Sequence, residues 1–174
     1  MASLLSKSII ILRGVAYSAA FVWLWAWLAI AVRSFDARLA VSLPLWLRPI
    51  GFMLASAGAL LAGICIATFL TRGRGTPAPF DAPREFVASG PYRYVRNPMY
   101  VGATAVILGA GLVLSSPSIV MLALAFLLTM HLFVVSYEEP VLASRFGASY
   151  QQYKSEVHRW LIRKPRLDVP RGGG

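Results

Sequence analysis

The chain has 174 residues, of which 57% are apolar and 14% are charged, and its net charge is +10. A soluble domain usually carries about 25% charged residues, so this composition argues against a soluble domain and indicates a membrane protein. The basic residues lie mostly in loops and in the tail, which favours a cytoplasmic membrane face over a nucleic-acid-binding surface.

Four apolar stretches are long enough, or nearly so, to cross a bilayer, which takes about 20 helical residues. The sequence predicts spans at residues 9–32, 47–70, 98–114 and 118–139. Only three residues separate the last two spans, so these spans form a tight antiparallel hairpin. We therefore predict an all-α fold, an integral membrane helical bundle of about four transmembrane helices.

The orientation follows from the distribution of Arg and Lys. The long connection at residues 71–97 and the segment after Glu139 are rich in basic residues, whereas the hairpin tip carries no charge. The positive-inside rule then puts the long connection, the tail and the N-terminus in the cytoplasm. The first loop, with Arg33, Arg38 and Arg48, argues weakly the other way.

A helix outside the bilayer is predicted after the last span. Five apolar or aromatic residues recur there at helical spacing: Leu142, Phe146, Tyr150, Tyr153 and Val157. This pattern is typical of an amphipathic helix, which we expect to lie against the cytoplasmic mouth of the bundle. Residues 1–83 then hold the first two spans and the start of the long connection. We expect residues 167–174 to form a disordered tail.

Charged residues lie at both open ends of the predicted hairpin. Arg93 and Arg96 precede the third span, and Glu138 and Glu139 end the fourth. Because a hairpin brings its open ends together, these groups should meet at one mouth of the bundle. Paired acids are costly near a bilayer, so they suggest a function. A ligand with both an amino group and a carboxylate would suit this mouth.

Asn97 and Pro98 mark the start of the third span, since Asn is a preferred N-cap and Pro a preferred first helical residue. A helix N-terminus also offers N–H groups and partial positive charge to an anion. With Arg96 beside it, this start could hold a ligand carboxylate. The alternative for Arg93 and Arg96 is contact with phospholipid headgroups.

At least one of Glu138 and Glu139 should face inward, where it needs an arginine or a ligand ammonium group as its partner. His131 lies seven residues before Glu138, on about the same helix face. We interpret it as a buried histidine bonded to a neighbouring helix. Two widely separated histidines and a single cysteine, Cys65, make a poor metal site, so no metal is expected.

Small and aromatic residues near the mouth allow two interpretations each. Gly102 and Gly109 lie seven residues apart on one face of the third span. They favour either close packing against a neighbouring helix or a groove for a flat ligand. Tyr92, Tyr94 and Tyr100 are more often interfacial anchors than ligand contacts.

Two motifs resemble those of the isoprenylcysteine carboxyl methyltransferase family and its phospholipid methyltransferase relatives. The first is the sequence GPYRYVRNPMYVG at residues 90–102. The second runs from Glu138 to Tyr153 with the pattern EExxLxxxFGxxYxxY, followed by Arg159 and Trp160. The resemblance covers roughly residues 84–166, which it implies to be a methyltransferase-like core, and the N-terminal half carries no assignable motif.

The resemblance implies S-adenosylmethionine as the cofactor, held at the cytoplasmic mouth by these motifs. It implies that one of Glu138 and Glu139 pairs with the amino group of the cofactor. The implied cofactor-binding set is Tyr94, Val95, Arg96, Asn97, Pro98, Tyr100, Gly102, Gly109, Gly111, Glu138, Glu139, Tyr150 and Tyr153. Catalytic roles fall to Arg96, Tyr100 and Glu139. Many family members have His where this chain has Asn97, so no base is proposed there.

The predicted function is therefore methyl transfer from S-adenosylmethionine to a lipophilic membrane acceptor whose reacting group is a carboxylate, an amine or a thiol. The acceptor is expected to enter laterally beside the hairpin, near Met99, Tyr100, Gly102 and Val106. The expected partners are membrane lipids, with no nucleic acid. Two alternatives stay open: a sterol-reductase-like enzyme that uses a nicotinamide cofactor, and a lipid-binding protein without enzymatic activity.

Overall fold

The computed structural model describes residues 2–68 and 88–162. Within these ranges the chain is helical and has no β-strand, which confirms the all-α prediction. The helices are α1 (Ala2–Arg33), α2 (Asp36–Leu39), α3 (Arg48–Thr68), α4 (Pro98–Val113), α5 (Pro117–Phe133) and α6 (Glu139–Glu156). Most of the predicted basic connection and the predicted disordered tail lie outside the described residues.

Three helical stretches in the described part of the chain are long and apolar enough to cross a membrane: Val15–Arg33, Leu45–Thr68 and Pro117–Glu156. The fourth apolar helix, α4, has 16 residues. It is therefore about 24 Å long, shorter than the hydrocarbon core of about 30 Å. All four predicted spans correspond to helices, and a complete crossing by α4 stays a prediction.

Helices α3 and α4 pack with their backbones in close contact along a line of glycines. A Cβ atom added to Gly58 would lie 2.5 Å from the carbonyl oxygen of Gly102, and one added to Gly109 would lie 2.5 Å from that of Gly51. Small residues at such positions let membrane helices approach closely. The close-packing interpretation of Gly102 and Gly109 is therefore confirmed, and their shared face is filled by α3.

The main apolar core forms where α4 and α5 meet α1. Phe126 of α5 is fully buried. The rings of Phe21 and Trp25 in α1 pack edge-on against it, with 4.6 Å between the Trp25 and Phe126 centroids. Tyr100, near the start of α4, belongs to the same buried cluster. The core thus extends to the end of the bundle at which α4 begins.

The two ends of the bundle hold different segments. At one end, the backbone N–H of Ser118 donates to Asp36 Oδ1 over 2.9 Å, so the first loop holds the hairpin tip. At the other end, the segment before α4 meets the segments that follow α5. The two sequence motifs therefore lie together at the end opposite the tip, as the hairpin predicts.

Candidate functional site

The segment before α4 is held in place from both of its ends. A 3₁₀ turn at Gly90–Arg93 places Tyr92 in the interior, with 8% of its surface exposed. Gly90 has a φ of 59°, a conformation that glycine adopts without steric cost. The backbone carbonyl oxygen of Tyr92 accepts a hydrogen bond from the Tyr153 hydroxyl over 2.7 Å. This segment is therefore tied to α6.

Helix α4 begins at Pro98 with Asn97 at its N-cap, as predicted. The Asn97 side chain, however, accepts no hydrogen bond from the helix. Its Nδ2 donates to the backbone carbonyl of Arg159 over 3.1 Å. The expected side-chain cap is therefore absent at this helix start, because the amide serves to hold the segment after α6.

A π-helical turn, Val134–Glu138, joins α5 to α6 and brings Glu138 and Glu139 into the site. Such a turn inserts extra backbone into a helix and is frequent at functional sites. Tyr100 Oη donates to Glu138 Oε2 over 3.1 Å, and Arg96 Nη1 lies 3.0 Å from Glu139 Oε1. Of the two arginines predicted to meet the acids, Arg96 does so at the base of the hairpin, whereas the Arg93 side chain is exposed.

Glu139 lies at the centre of a cluster of three cations. Besides the bond from Arg96, Glu139 accepts two hydrogen bonds from Arg159, one from Nε over 2.6 Å and one from Nη2 over 3.0 Å. Lys154 Nζ lies 3.2 Å from Glu139 Oε2. The hydrogen bond to Glu139 raises the pKa of Arg159. The side chain of Glu139 is only 7% exposed, so its charge depends on these three cations for stabilisation. An inward-facing acid was predicted to pair with either an arginine or a ligand ammonium group, and Glu139 pairs with arginines.

Glu138 lies among tyrosines and has no cation within ion-pair distance in the described part of the chain. Its hydrogen bond comes from the neutral hydroxyl of Tyr100. Burial raises the pKa of Tyr92 well above its ordinary value, and the neighbouring Cys65 and Glu138 raise it further. The phenol of Tyr92 therefore stays neutral. The surroundings of Glu138 leave it able to accept a charged donor.

Arg96 has one donor that its described surroundings do not satisfy. Its side chain is 10% exposed. Its Nη1 reaches Glu139, whereas its Nε is buried and meets no acceptor among the described residues. Buried donors in native structures are nearly always paired, and a guanidinium pairs best with an anion. Arg96, Arg159 and Lys154 carry three positive charges against two on Glu139 and the adjacent Glu138, so the cluster still favours an added anion.

Other predicted site residues lie near this centre. Tyr150 is 2% exposed, and its electrostatic neighbours include Arg96, Glu138 and Glu139. Tyr153 is connected to these residues by the hydrogen bond from its hydroxyl to the Tyr92 carbonyl oxygen. The structure therefore brings together most of the predicted set: Arg96, Asn97, Pro98, Tyr100, Glu138, Glu139, Tyr150 and Tyr153.

The remaining predicted residues make no polar contact with the charged centre in the described part of the chain, and their cofactor-binding roles stay a prediction. The side chain of Tyr94 is 45% exposed, which suits an interfacial anchor, and Val95 is buried as a core residue. Gly109 is nine residues beyond Tyr100, or about 14 Å along α4. A Cβ atom on Gly111 would lie 2.9 Å from Val120 of α5, so this glycine also serves helix packing. Gly102, Gly109 and Gly111 thus serve helix packing, and a role beside the cofactor stays a prediction for them.

Sequence reasoning missed the contribution of Lys154, in the last turn of α6, and of the segment after α6. Lys154 and Arg159 complete the cluster around Glu139. Trp160 Nε1 donates to His131 Nδ1 over 3.0 Å, so the partner of His131 lies in this segment and not, as interpreted from the sequence, in a neighbouring helix. The adjacent Arg159 and Trp160 that follow the second motif were the available signal.

A family model described as Phospholipid methyltransferase matches residues 48–149, which is more than half of the chain. The matched region contains α3, α4, α5, the π-helical turn and the first part of α6. It includes Arg96, Tyr100, Glu138 and Glu139, whereas Arg159 lies beyond its end. No curated protein matches the chain.

Proposed function

Because the chain belongs to the phospholipid methyltransferase family, we propose that it transfers a methyl group from S-adenosylmethionine to a lipophilic acceptor in the membrane. The family supports a membrane methyltransferase, and the helical stretches of membrane-spanning length agree with it. The cofactor, the acceptor and the cytoplasmic orientation are our proposals.

The observation that carries the proposal is a pair of incompletely partnered charged groups at the base of the hairpin. Arg96 Nε is buried without an acceptor in the described part of the chain, and there Glu138 accepts a bond from a neutral hydroxyl. An anion and an ammonium group are the partners that these side chains lack. The amino-acid moiety of S-adenosylmethionine has both groups, so the residues present fit this cofactor.

In the proposed site, Arg96 binds the carboxylate of the cofactor and Glu138 binds its ammonium group. Tyr100 holds Glu138 in one orientation through its hydrogen bond. Glu139 has a structural role, because three cations already occupy both of its oxygens. This assignment moves the ligand-binding role from Glu139, which the resemblance implied as catalytic, to Glu138.

When bound, S-adenosylmethionine supplies an electrophilic methyl group on a sulfonium, which is transferred by in-line displacement. Such a reaction depends on alignment and on excluding water from the nucleophile more than on an acid or a base. Tyr92 and Tyr100 are 8% and 7% exposed and keep the surroundings of Glu138 dry. Aromatic faces also attract a cation.

The acceptor is proposed to arrive from the bilayer at the start of α4. Met99 is partly buried there and packs against both the Phe126 core and the Cys65–Tyr92 cluster. Tyr94 and Tyr137 are exposed near the same end, a placement typical of residues at a membrane interface. Gly102 and Val106 face α3, so the entry is proposed beside Met99 and not along the whole of α4.

The test is equilibrium binding and methyl transfer by the full chain in lipid nanodiscs. We expect S-adenosylhomocysteine to bind and a nicotinamide dinucleotide not to bind. Labelled S-adenosylmethionine should transfer its methyl group to a component of extracted membrane lipids. Binding of the nicotinamide alone would favour the reductase alternative, and binding of neither would favour a non-enzymatic lipid-binding protein.

A series of acceptors with one headgroup and tails of two to fifteen carbons tests lateral entry. Each buried methylene contributes about 0.8 kcal/mol, so activity should rise steeply with tail length. A flat series would instead support a small soluble acceptor.

A further inference from the structure

The four residues after α6, residues 157–160, lie across the segment that precedes α4, and we call them the strap. The backbone N–H of Arg96 donates to the carbonyl of His158 over 2.9 Å. The next residue, Asn97, donates through its side chain to the carbonyl of Arg159 over 3.1 Å. Two consecutive strap carbonyls therefore bind two consecutive residues at the start of α4.

The strap is fastened to the hairpin by two side chains. Arg159 holds both oxygens of Glu139, and Trp160 donates to His131 on α5 over 3.0 Å. Trp160 also packs against the apolar core that contains Phe126. The strap thus connects the end of α5 with the start of α4 on the side where the charged cluster lies.

Arg159 and Arg96 share one carboxylate oxygen. Glu139 Oε1 lies 2.6 Å from Arg159 Nε and 3.0 Å from Arg96 Nη1. A guanidinium that binds both oxygens fixes the plane of a carboxylate, which a point charge such as that of Lys154 does not. Lys154 is moreover 42% exposed and therefore weakly constrained. Arg159 therefore sets the orientation of the Glu139 carboxylate, and this orientation sets the position of the oxygen that binds Arg96 Nη1.

We infer that Arg159 is a positioning residue: through Glu139 and the strap it fixes the orientation in which Arg96 presents Nε to the ligand. The inference rests on the proposed function, because it concerns the carboxylate of the bound cofactor. It also extends the working site beyond the region that matches the family model, which ends at residue 149.

The first experiment measures the strap in the protein without ligand. Hydrogen exchange at the Arg96 amide should be faster in Arg159→Gln and in Arg159→Lys, since neither variant has a guanidinium that binds both oxygens of Glu139. Trp160→Phe is a milder variant that removes the bond to His131 and keeps an aromatic ring against the core. Arg145→Gln, an exposed arginine of α6, is the matched control and should leave the exchange unchanged. Exchange that is unchanged in both Arg159 variants would overturn the inference, whatever the result for Trp160→Phe.

The second experiment is a double-mutant cycle on S-adenosylhomocysteine binding. We expect Arg159→Gln to weaken binding about tenfold when Arg96 is present and less than twofold in the Arg96→Gln background, because the two residues act as one unit. An equal loss in both backgrounds would mean that Arg159 only stabilises the fold, which contradicts the inference.

The two experiments separate the failure of the inference from that of the proposed function. If the parent protein binds no S-adenosylhomocysteine, the proposed function is wrong and so is the positioning role toward this cofactor. The exchange measurement still decides, without any ligand, whether Arg159 and Trp160 hold the strap. If the parent protein binds and the cycle shows no coupling, only the positioning role is wrong.

Discussion

The two ends of the helical bundle use their carboxylates in different ways. At the hairpin tip, Asp36 accepts the backbone N–H of Ser118, and the start of α5 is closed by Ser116, which accepts from Ile119. At the mouth, Arg96 has a buried Nε without an acceptor among the described residues, and Glu138 has a neutral partner. Among the described residues, the orphaned groups at the tip are the neutral hydroxyls of Ser115 and Ser118, whereas the mouth has charged groups with unused capacity, on which the proposed binding site rests.

At the mouth, the adjacent acids Glu138 and Glu139 have different proposed roles. The largest effect on stability is expected for Glu139. Replacing Glu139 by Gln leaves three cations without their shared carboxylate. Breaking a buried charge pair typically costs about 3–5 kcal/mol, so Glu139→Gln should strongly lower the free energy of unfolding. Thermal unfolding in nanodiscs measures it, with Glu156→Gln at the end of α6 as the matched control. A variant as stable as the control would show that the cluster around Glu139 is not structural.

Glu138→Gln should have the opposite profile, with a loss of binding and little loss of stability. Removing a charged hydrogen bond to the ligand costs about 1.5–3 kcal/mol, or roughly ten- to a hundredfold in affinity. The Tyr100 hydroxyl can still donate to the new amide oxygen, so the local packing is kept. Calorimetric titration with S-adenosylhomocysteine checks this. Binding within twofold of the parent would remove Glu138 from the site.

A smaller effect on stability is expected where α3 packs closely against α4, between the two ends of the bundle. In Gly58→Ala the new methyl group meets the backbone of Gly102, and overpacking of this kind costs about 1–3 kcal/mol. Gly63 lies on the same helix with nothing within 4 Å of an added Cβ. Gly63→Ala should therefore be neutral or stabilising, because alanine is the better helix former. Equal unfolding temperatures for the two variants would contradict the close packing.

The smallest effect on stability is expected at the tip, where the stabilisation by Asp36 should depend on pH. Burial alone would raise the pKa of Asp36, but hydrogen bonds from Ser116 and Ser118 outweigh it and lower the pKa. A lowered pKa means that the stabilisation is complete above the ordinary value of about 3.9 and is lost as the pH falls through the folded value. The stability difference between the parent and Asp36→Asn should therefore shrink in acid.

Cofactor binding sharpens the same comparison. Asp36→Asn should bind S-adenosylhomocysteine as the parent does at neutral pH, since Asp36 lies at the end of the bundle opposite the charged cluster. Weaker binding in this variant would show that the two ends are coupled.

Local features of the sequence were sufficient to predict the helices, the hairpin and the start of α4. Long apolar stretches fold as helices because a bilayer leaves no water for their backbone groups, and Pro98 is a favourable first helical residue. The three-residue connection between α4 and α5 brings both motifs to one end. The meeting of Arg96 with the two acids, and membership of the family, followed from these features and from the motifs.

Tertiary structure decided how these residues divide the work. The separate partners of Glu138 and Glu139 depend on the π-helical turn, which no hydropathy pattern reports. The Asn97 side chain binds Arg159, 62 residues later in the chain, in place of its own helix. The sequence pattern brings the two motifs to one end of the bundle, but it does not specify which side chains pair there. Which distant groups satisfy a buried charge is determined by the packed chain as a whole, because each burial requires its own partner.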